Sequence, residues 1–123
     1  MAKRILLVED SPTDLAITKK LLDDSGFETF SAMTIKEGFK KAKDVSPDMI
    51  LLDLMLPDGT GFELCKRIRS ESASTRKILI VILSMKSSKE DIEKAFESGA
   101  DDYIVKPPAP EFLLKKIKLY MHD

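Results

Sequence analysis

Five short runs of β-forming residues, separated by segments with helical periodicity, constrain the fold of this chain more than any other feature. The runs span residues 4–9, 27–32, 49–53, 78–84 and 103–105. Such strand-helix alternation produces a parallel sheet with helices on both faces. The first, third and fourth runs are continuously apolar, as expected for strands that are covered on both sides. The sequence therefore predicts one doubly wound α/β domain that spans residues 1–123.

The five segments that follow these runs each carry an apolar face at helical spacing. The residues of the five faces are Leu15, Leu21 and Leu22; Ile35, Phe39 and Ala42; Leu64, Cys65 and Ile68; Ile92, Ala95 and Phe96; and Leu113, Ile117 and Tyr120. Helix-start signals agree with four of them: Ser11 before Pro12, Thr34 with Glu37, Ser88 with Asp91, and Pro110 before Glu111. Gly26 and Gly99 are predicted to end two of the helices.

Composition excludes several classes of function. Hydrophobic residues make up 43% of the 123 residues, enough to bury a core without a metal or a disulfide. The formal net charge is -1, which argues against direct contact with nucleic acid and against a basic membrane-binding surface. Cys65 is the only cysteine, so an intrachain disulfide is impossible and a cytoplasmic location is expected. Both the N-terminal apolar run and the run at 78–83 are too short for a signal sequence or a membrane span.

Polar residues follow four of the predicted strands at their carboxyl ends, where the binding crevice of an open parallel sheet lies. They are Glu9 and Asp10 after the first, Asp53 at the third, Ser84 at the fourth and Lys106 after the fifth. Carboxylates packed this closely repel one another, and a hard cation such as Mg2+ relieves that repulsion. A metal, a carboxylate nucleophile, a hydroxyl and a cation are the groups that phosphoryl transfer requires. Singly, each residue is explained equally well as a turn, cap or surface residue, so the combination carries the prediction.

Four segments together resemble the response-regulator receiver domain of two-component signalling, a CheY-like domain. They are "ILLVEDSP" at 5–12, "ILLDLMLPDGTGFEL" at 50–64, "VILS" at 81–84 and "GADDYIVKP" at 99–107. The likeness extends from residue 4 to residue 121. It implies a flavodoxin-like fold whose five parallel strands are arranged in the order 2-1-3-4-5.

The resemblance also assigns roles in the site. It implies that Asp53 is the phosphoacceptor and becomes an aspartyl phosphate. Asp10, Asp53 and the backbone carbonyl of Met55 would hold Mg2+, and Glu9 would act on the metal through a bound water molecule.

The remaining site residues would respond to the phosphoryl group. By resemblance, Lys106 would pair with a phosphoryl oxygen, and Ser84 would turn its hydroxyl toward the group. Tyr103 would act as a rotamer switch on the face made by the fourth predicted helix, the fifth strand and the fifth helix. The Lys106-Pro107 peptide bond is expected to be cis, a form that is energetically accessible mainly before proline.

The partners implied by the resemblance are proteins. A sensor histidine kinase or a histidine-phosphotransfer protein would supply the phosphoryl group, and an effector protein or a fused output domain would receive the signal. A homodimer formed on phosphorylation is compatible with the same resemblance. The domain would catalyse only its own phosphorylation and dephosphorylation, so it is not expected to be an enzyme in the usual sense. Whether it works alone or precedes an output domain stays open, as do the cognate kinase and the lifetime of the phosphoryl group.

Three other classes of protein could explain parts of this pattern. A phosphatase of the haloacid dehalogenase type uses Asp-x-Asp, but Met55 stands at the second position. A nucleotide-binding loop would need a third glycine where Leu64 stands. A receiver-fold adaptor that works without phosphate is disfavoured because the acidic pair, the acceptor, the hydroxyl and the lysine are all present. Two residues depart from the usual family pattern, Met85 after the hydroxyl residue and Pro108 after Pro107.

Overall fold

The computed structural model describes residues 2–121, and it contains the predicted strand-helix alternation with three additional short elements. The elements in chain order are β1 (Arg4–Val8), α1 (Pro12–Asp24), β2 (Glu28–Ala32), α2 (Ile35–Val45), β3 (Met49–Leu52), β4 (Met55–Leu56), β5 (Gly59–Thr60), α3 (Gly61–Glu71), α4 (Ala73–Arg76), β6 (Leu79–Ser84), α5 (Lys89–Glu97), β7 (Asp102–Val105) and α6 (Pro110–Met121).

The main sheet has five parallel strands in the order β2-β1-β3-β6-β7. Counted along the five predicted strands, this is the order 2-1-3-4-5, so the predicted fold class is confirmed. Val8 pairs with both Ala32 and Leu52, and Leu52 pairs with Ile82. The carboxyl ends of β1, β3 and β6 therefore meet at one edge of the sheet, which is where the predicted site lies.

Each face of the sheet buries its own hydrophobic core, because successive residues of a strand point to opposite faces. Leu6, Ile50 and Ile80 pack in the core beneath α2, α3 and α5. Ile5, Leu51 and other strand residues pack in the second core, with residues of α1 and α6. The two cores fix the sheet edge rigidly between two layers of helices.

Three of the four predicted helix starts are confirmed by capping hydrogen bonds, and the fourth by the first residue of α6, Pro110. Ser11 Oγ accepts from the backbone N–H of Asp14 at 3.3 Å, and Thr34 Oγ1 accepts from the N–H of Glu37 at 3.0 Å. Ser88 caps α5 in the same way. Such caps each stabilise a helix by about 1 kcal/mol. They hold the loops between the strands and the following helices in defined conformations.

Three features differ from the sequence-based expectation. The two-stranded hairpin β4-β5 and the single-turn helix α4 are both too short to show a periodic apolar pattern. Phe96 was expected on the buried face of its helix but is 46% exposed, because Ala95 occupies the position that faces the sheet. No helix within residues 2–121 is long and apolar enough to cross a membrane.

Candidate functional site

The acidic residues of the candidate site emerge where β1 and β3 end. The N–H of Glu9 donates to the carbonyl of Ala32 at 2.9 Å, and the N–H of Asp53 donates to the carbonyl of Val8 at 3.0 Å. Their backbones thus continue the sheet hydrogen bonding while their side chains leave the core. Glu9, Asp10 and Asp53 each offer an oxygen within 4.8 Å of the others. The structure therefore brings together the three predicted carboxylates, with Asp10 on the exposed side.

Lys106 joins this cluster from the end of β7. Its N–H donates to the carbonyl of Ser84 at 2.9 Å, and the peptide bond to Pro107 is cis. Its side-chain ammonium donates to Glu9, and its Nζ lies 3.0 Å from Asp53 Oδ2. The side chain of Lys106 is only 9% exposed, and those of Glu9 and Asp53 are each 11% exposed. A nearly buried cation therefore compensates two nearly buried carboxylates.

The pKa directions reflect this crowding. Burial raises the pKa of Glu9 above its ordinary value, and the hydrogen bonds from Lys106 and Ser11 offset only part of that increase. Burial alone would lower the pKa of Lys106, but its hydrogen bonds to Glu9, Asp53 and Asp14 outweigh burial and raise it. The ammonium of Lys106 is consequently charged throughout the physiological pH range.

Asp14 is a further partner of Lys106 that sequence reasoning missed. It lies in the first turn of α1, and its Oδ2 is 3.0 Å from Lys106 Nζ. Its side chain is 43% exposed, unlike those of Glu9 and Asp53. The only sequence signal was its position four residues after the acidic pair, where an acidic residue is equally expected for favourable interaction with the helix dipole.

The loop after Asp53 is packed directly against that residue. The N–H of Met55 donates to Asp53 Oδ1 at 3.1 Å, and the N–H of Gly61 donates to the carbonyl of Leu54 at 2.9 Å. A Cβ atom at Gly61 would lie 2.5 Å from the carbonyl oxygen of Asp53. Glycine at this position therefore allows α3 to begin against the backbone of Asp53. The role of the Met55 carbonyl as a metal ligand stays a prediction.

Ser84 and Tyr103 form a second group, linked through the backbone of Lys86. Ser84 is fully buried at the end of β6, and its Oγ accepts from the N–H of Lys86 at 3.3 Å. Tyr103 Oη donates to the carbonyl of Lys86 at 2.5 Å. Burial raises the pKa of Tyr103, and the nearby charge of Asp91 raises it further. Both side chains thus contact the same peptide segment between β6 and α5.

The donor set fits a hard divalent cation. Three carboxylate oxygens lie within reach of one ion, and no softer histidine or cysteine ligand belongs to the group that the described residues form. Mg2+ prefers oxygen ligands and usually takes one or two carboxylates together with water or phosphate. The acidic cluster is therefore suited to Mg2+, as the resemblance implied.

A comparison with known protein families agrees with this geometry. The family profile described as "Response regulator receiver domain" matches residues 5–118. The chain belongs to the response regulator receiver family. This confirms the resemblance stated from the sequence, and it disfavours a phosphatase or a nucleotide-binding domain.

Relatives of this receiver domain include both regulators and isolated receivers. The phosphate regulon transcriptional regulatory protein PhoB of Escherichia coli is 39% identical over 121 residues, which cover 98% of this chain and 52% of PhoB. The receiver domain therefore spans about half the length of the curated relatives it matches.

Two solved structures have the same fold. A CheY-like receiver domain protein of Methanospirillum hungatei superposes with a TM-score of 0.90 at 34% identity, covering 97% of this chain and 93% of that chain. The beryllofluoride-activated N-terminal receiver domain of RstA from Klebsiella pneumoniae gives a TM-score of 0.90 at 27% identity, covering 98% and 100% respectively.

Proposed function

We propose that this receiver domain accepts a phosphoryl group on Asp53 in a Mg2+-dependent reaction and converts it into a change of its surface. The observation that carries the proposal is the position of the Asp53 carboxylate. It lies at the carboxyl edge of the sheet, 3.0 Å from Lys106 Nζ and beside the carboxylates of Glu9 and Asp10.

In this reaction Asp53 is the nucleophile. A carboxylate oxygen of Asp53 forms a bond to phosphorus, and the bond between phosphorus and the donor breaks, leaving its electron pair with the donor group. The phosphoryl oxygens carry negative charge throughout, so the site must neutralise charge rather than perform demanding covalent chemistry. Lys106 supplies one cation for this purpose, because its ammonium already contacts Asp53.

The acidic cluster would hold the second cation. Asp10, Asp53 and the carbonyl of Met55 are the proposed ligands of Mg2+, and Glu9 is proposed to act through a bound water molecule. When bound, Mg2+ supplies charge neutralisation for the phosphoryl oxygens and for the crowded carboxylates. The proximity of the three carboxylate oxygens supports the metal assignment.

The signal would leave through Ser84 and Tyr103. Ser84 lies at the end of β6, and its hydroxyl is proposed to bind a phosphoryl oxygen. Both side chains form hydrogen bonds with the backbone of Lys86, so a movement of Ser84 would shift the peptide segment to which the Tyr103 hydroxyl is bonded. The face that would respond consists of α5, β7 and α6.

The proposed donor is a sensor histidine kinase or a histidine-phosphotransfer protein, and the proposed receiver of the signal is an effector protein or a fused output domain. PhoB is named as a transcriptional regulatory protein, and MtrA of Mycolicibacterium smegmatis as a DNA-binding response regulator. Their names support an output in gene regulation, carried by a segment other than the receiver. A cytoplasmic location, phosphorylation-dependent dimerisation and the absence of turnover on any other substrate stay predictions.

Intact mass after incubation with acetyl phosphate and Mg2+ tests the proposal. The wild type should gain one phosphoryl group, and Asp53→Asn should gain none. Asp58→Asn is a useful control, because this nearby carboxylate accepts from the backbone N–H of Ile35 and not from Lys106. Equal labelling of Asp53→Asn and the wild type would contradict the proposal.

A further inference from the structure

The ion pair between Asp14 and Lys106 lies outside the acidic cluster that would hold a metal. We propose that Asp14 is a positioning residue that competes with the phosphoryl group for the ammonium of Lys106. The inference rests on the proposed function, because it concerns the cation that neutralises the phosphoryl oxygens. It predicts that Asp14 weakens the binding of a phosphoryl-like anion at Asp53.

The hydrogen-bonding capacity of the Lys106 ammonium limits how many oxygens it can bind. An ammonium group has three N–H donors. Lys106 contacts three carboxylates, those of Glu9, Asp14 and Asp53, which use all three donors. A phosphoryl oxygen can bind Lys106 only if one of these contacts is replaced.

Asp14 differs from the other two partners of Lys106 in its surroundings. Glu9 and Asp53 are nearly buried and belong to the group of carboxylates that could share a metal, whereas Asp14 is 43% exposed and does not belong to that group. A bound metal would compete with Lys106 for Glu9 and Asp53 but would leave Asp14 on the ammonium. Asp14 is therefore the partner that continues to neutralise Lys106 when the phosphoryl group arrives.

Local structure holds Asp14 in this position. Its backbone N–H donates to Ser11 Oγ at 3.3 Å, and the N–H of Ser11 donates to Glu9 Oε2 at 3.1 Å. The loop between β1 and α1 thus places both Glu9 and Asp14 within hydrogen-bonding distance of the same ammonium. Asp14 also lines an apolar groove of about 290 Å³ between α1 and the Lys106-Pro107 segment.

The expected size of the effect follows from the exposure of Asp14. Because Asp14 is 43% exposed, water screens its charge, so removal of that charge should tighten anion binding by only about two- to fivefold. A simpler role exists, since an acidic residue in the first turn of a helix interacts favourably with the helix dipole. That role would alter the stability of α1 but not the affinity of the site for an anion.

Titration with beryllofluoride at a fixed saturating concentration of Mg2+, followed by NMR, distinguishes the two roles. Asp14→Asn keeps the size and an acceptor oxygen but removes the charge, and it should bind beryllofluoride two- to fivefold more tightly than the wild type. Asp24→Asn is the matched control. Asp24 lies on the same helix, and its Oδ2 is 3.0 Å from Lys20 Nζ, so this substitution also removes a carboxylate from a lysine ion pair. Asp24 has no contact with Lys106. Asp24→Asn should bind beryllofluoride as the wild type does.

The outcomes separate this inference from the proposed function. If Asp14→Asn binds beryllofluoride with the same affinity as Asp24→Asn, or more weakly, the proposed competition of Asp14 for Lys106 is wrong. A wild type that does not bind beryllofluoride, or an Asp53→Asn variant that binds it equally well, overturns the proposed function instead. The rate of labelling by acetyl phosphate provides a second readout, and it should rise in Asp14→Asn but not in Asp24→Asn.

Discussion

At the scale of single residues, the position of Asp53 explains how a carboxylate can follow an apolar run. The sheet pairing ends at Leu52, so the side chain of the next residue leaves the core at the rim. Lys106 then supplies the opposite charge, and the nearly buried carboxylate is not left uncompensated. The stability of the metal-free protein should therefore depend strongly on Lys106.

Replacing Lys106 by alanine should lower the free energy of unfolding by about 2–4 kcal/mol at pH 7.5, because it leaves nearly buried carboxylates unpaired. The loss should shrink at pH 5.5. Burial raises the pKa of Glu9 and a hydrogen bond from Lys106 lowers it, so the pKa rises further without Lys106. A raised carboxyl pKa means that the folded state binds the proton more tightly, so stability recovers as the pH falls toward 4.5. Urea denaturation at both pH values measures this.

Lys89→Ala provides the control for that experiment. Lys89 pairs with Glu93 on the exposed surface of α5 at 3.9 Å, and such pairs contribute little. One contradicting result is that Lys106→Ala lowers the free energy of unfolding no more than Lys89→Ala does, and another is that its effect does not depend on pH. Either result would contradict the compensation of the Glu9 and Asp53 charges by Lys106.

The sequence predicted the residues that follow strand ends but not those that reach the site from elsewhere. Glu9, Asp53 and Lys106 could be found because the carboxyl ends of parallel strands meet at one edge. Asp14 belongs to the site only because Lys106, 92 residues later in the chain, is brought to the start of α1, and no local pattern specifies that contact. Gly61 could not be assigned either, because its role is a close approach to the backbone of Asp53.

At the scale of elements, the segment between β6 and α5 is proposed to couple the site to the α5-β7-α6 face, because Ser84 and Tyr103 both bond to its backbone at Lys86. Ser84→Ala should still be phosphorylated, because the nucleophile and Lys106 are untouched. It should lose most of the NMR shift change across residues 85–105, since the hydroxyl that would follow the phosphoryl group is gone. A state-dependent ligand shifts an equilibrium only through its differential affinity for the two states.

Beryllofluoride-induced chemical shift changes in the wild type and in Ser84→Ala measure this coupling. Ser98→Ala is a suitable control, since Ser98 is also buried but its hydroxyl donates to the carbonyl of Lys94 in α5. Shift changes of the same size in Ser84→Ala and the wild type would show that the signal does not pass through the hydroxyl.

Element boundaries were predictable where the chain carries a strong local signal. Apolar β-forming runs gave the five strands of the main sheet, and Ser or Thr caps gave the starts of several helices. The hairpin β4-β5 and helix α4 had no such signal, because elements of two to four residues contain only about one strand or helical repeat, which is too few to show a periodic pattern. Phe96 shows the opposite kind of error: its helical spacing predicted burial, but its side chain faces solvent.

At the scale of the whole molecule, the acidic rim should link Mg2+ binding to thermal stability. A ligand that binds only the folded state stabilises it by about 2.7 kcal/mol at 100 times its dissociation constant. For a domain of this size, that corresponds to a rise of roughly 5 °C or more in the melting midpoint. Asp10→Asn should reduce this rise and should stabilise the metal-free protein by relieving repulsion.

Asp53→Asn should also reduce the response to Mg2+. In the absence of metal, Asp53→Asn should stabilise the protein less than Asp10→Asn does, because Asp53→Asn also loses the ion pair with Lys106. Thermal melts with Mg2+ titrated at constant ionic strength prevent general screening from imitating binding. Equal shifts in the wild type and both variants would mean that the acidic rim does not bind the metal.

Chemical trapping of the aspartyl phosphate shows which residue accepts the phosphoryl group, and it therefore tests whether Asp53 is the phosphoacceptor. Borohydride reduces an acyl phosphate to an alcohol, so a phosphorylated aspartate becomes homoserine and its position can be read by fragmentation mass spectrometry. After incubation with acetyl phosphate and Mg2+, we expect homoserine at position 53 and at no other aspartate. Homoserine at Asp10, Asp48 or Asp58 with Asp53 unmodified would contradict it, as would a folded, Mg2+-binding protein that yields no homoserine.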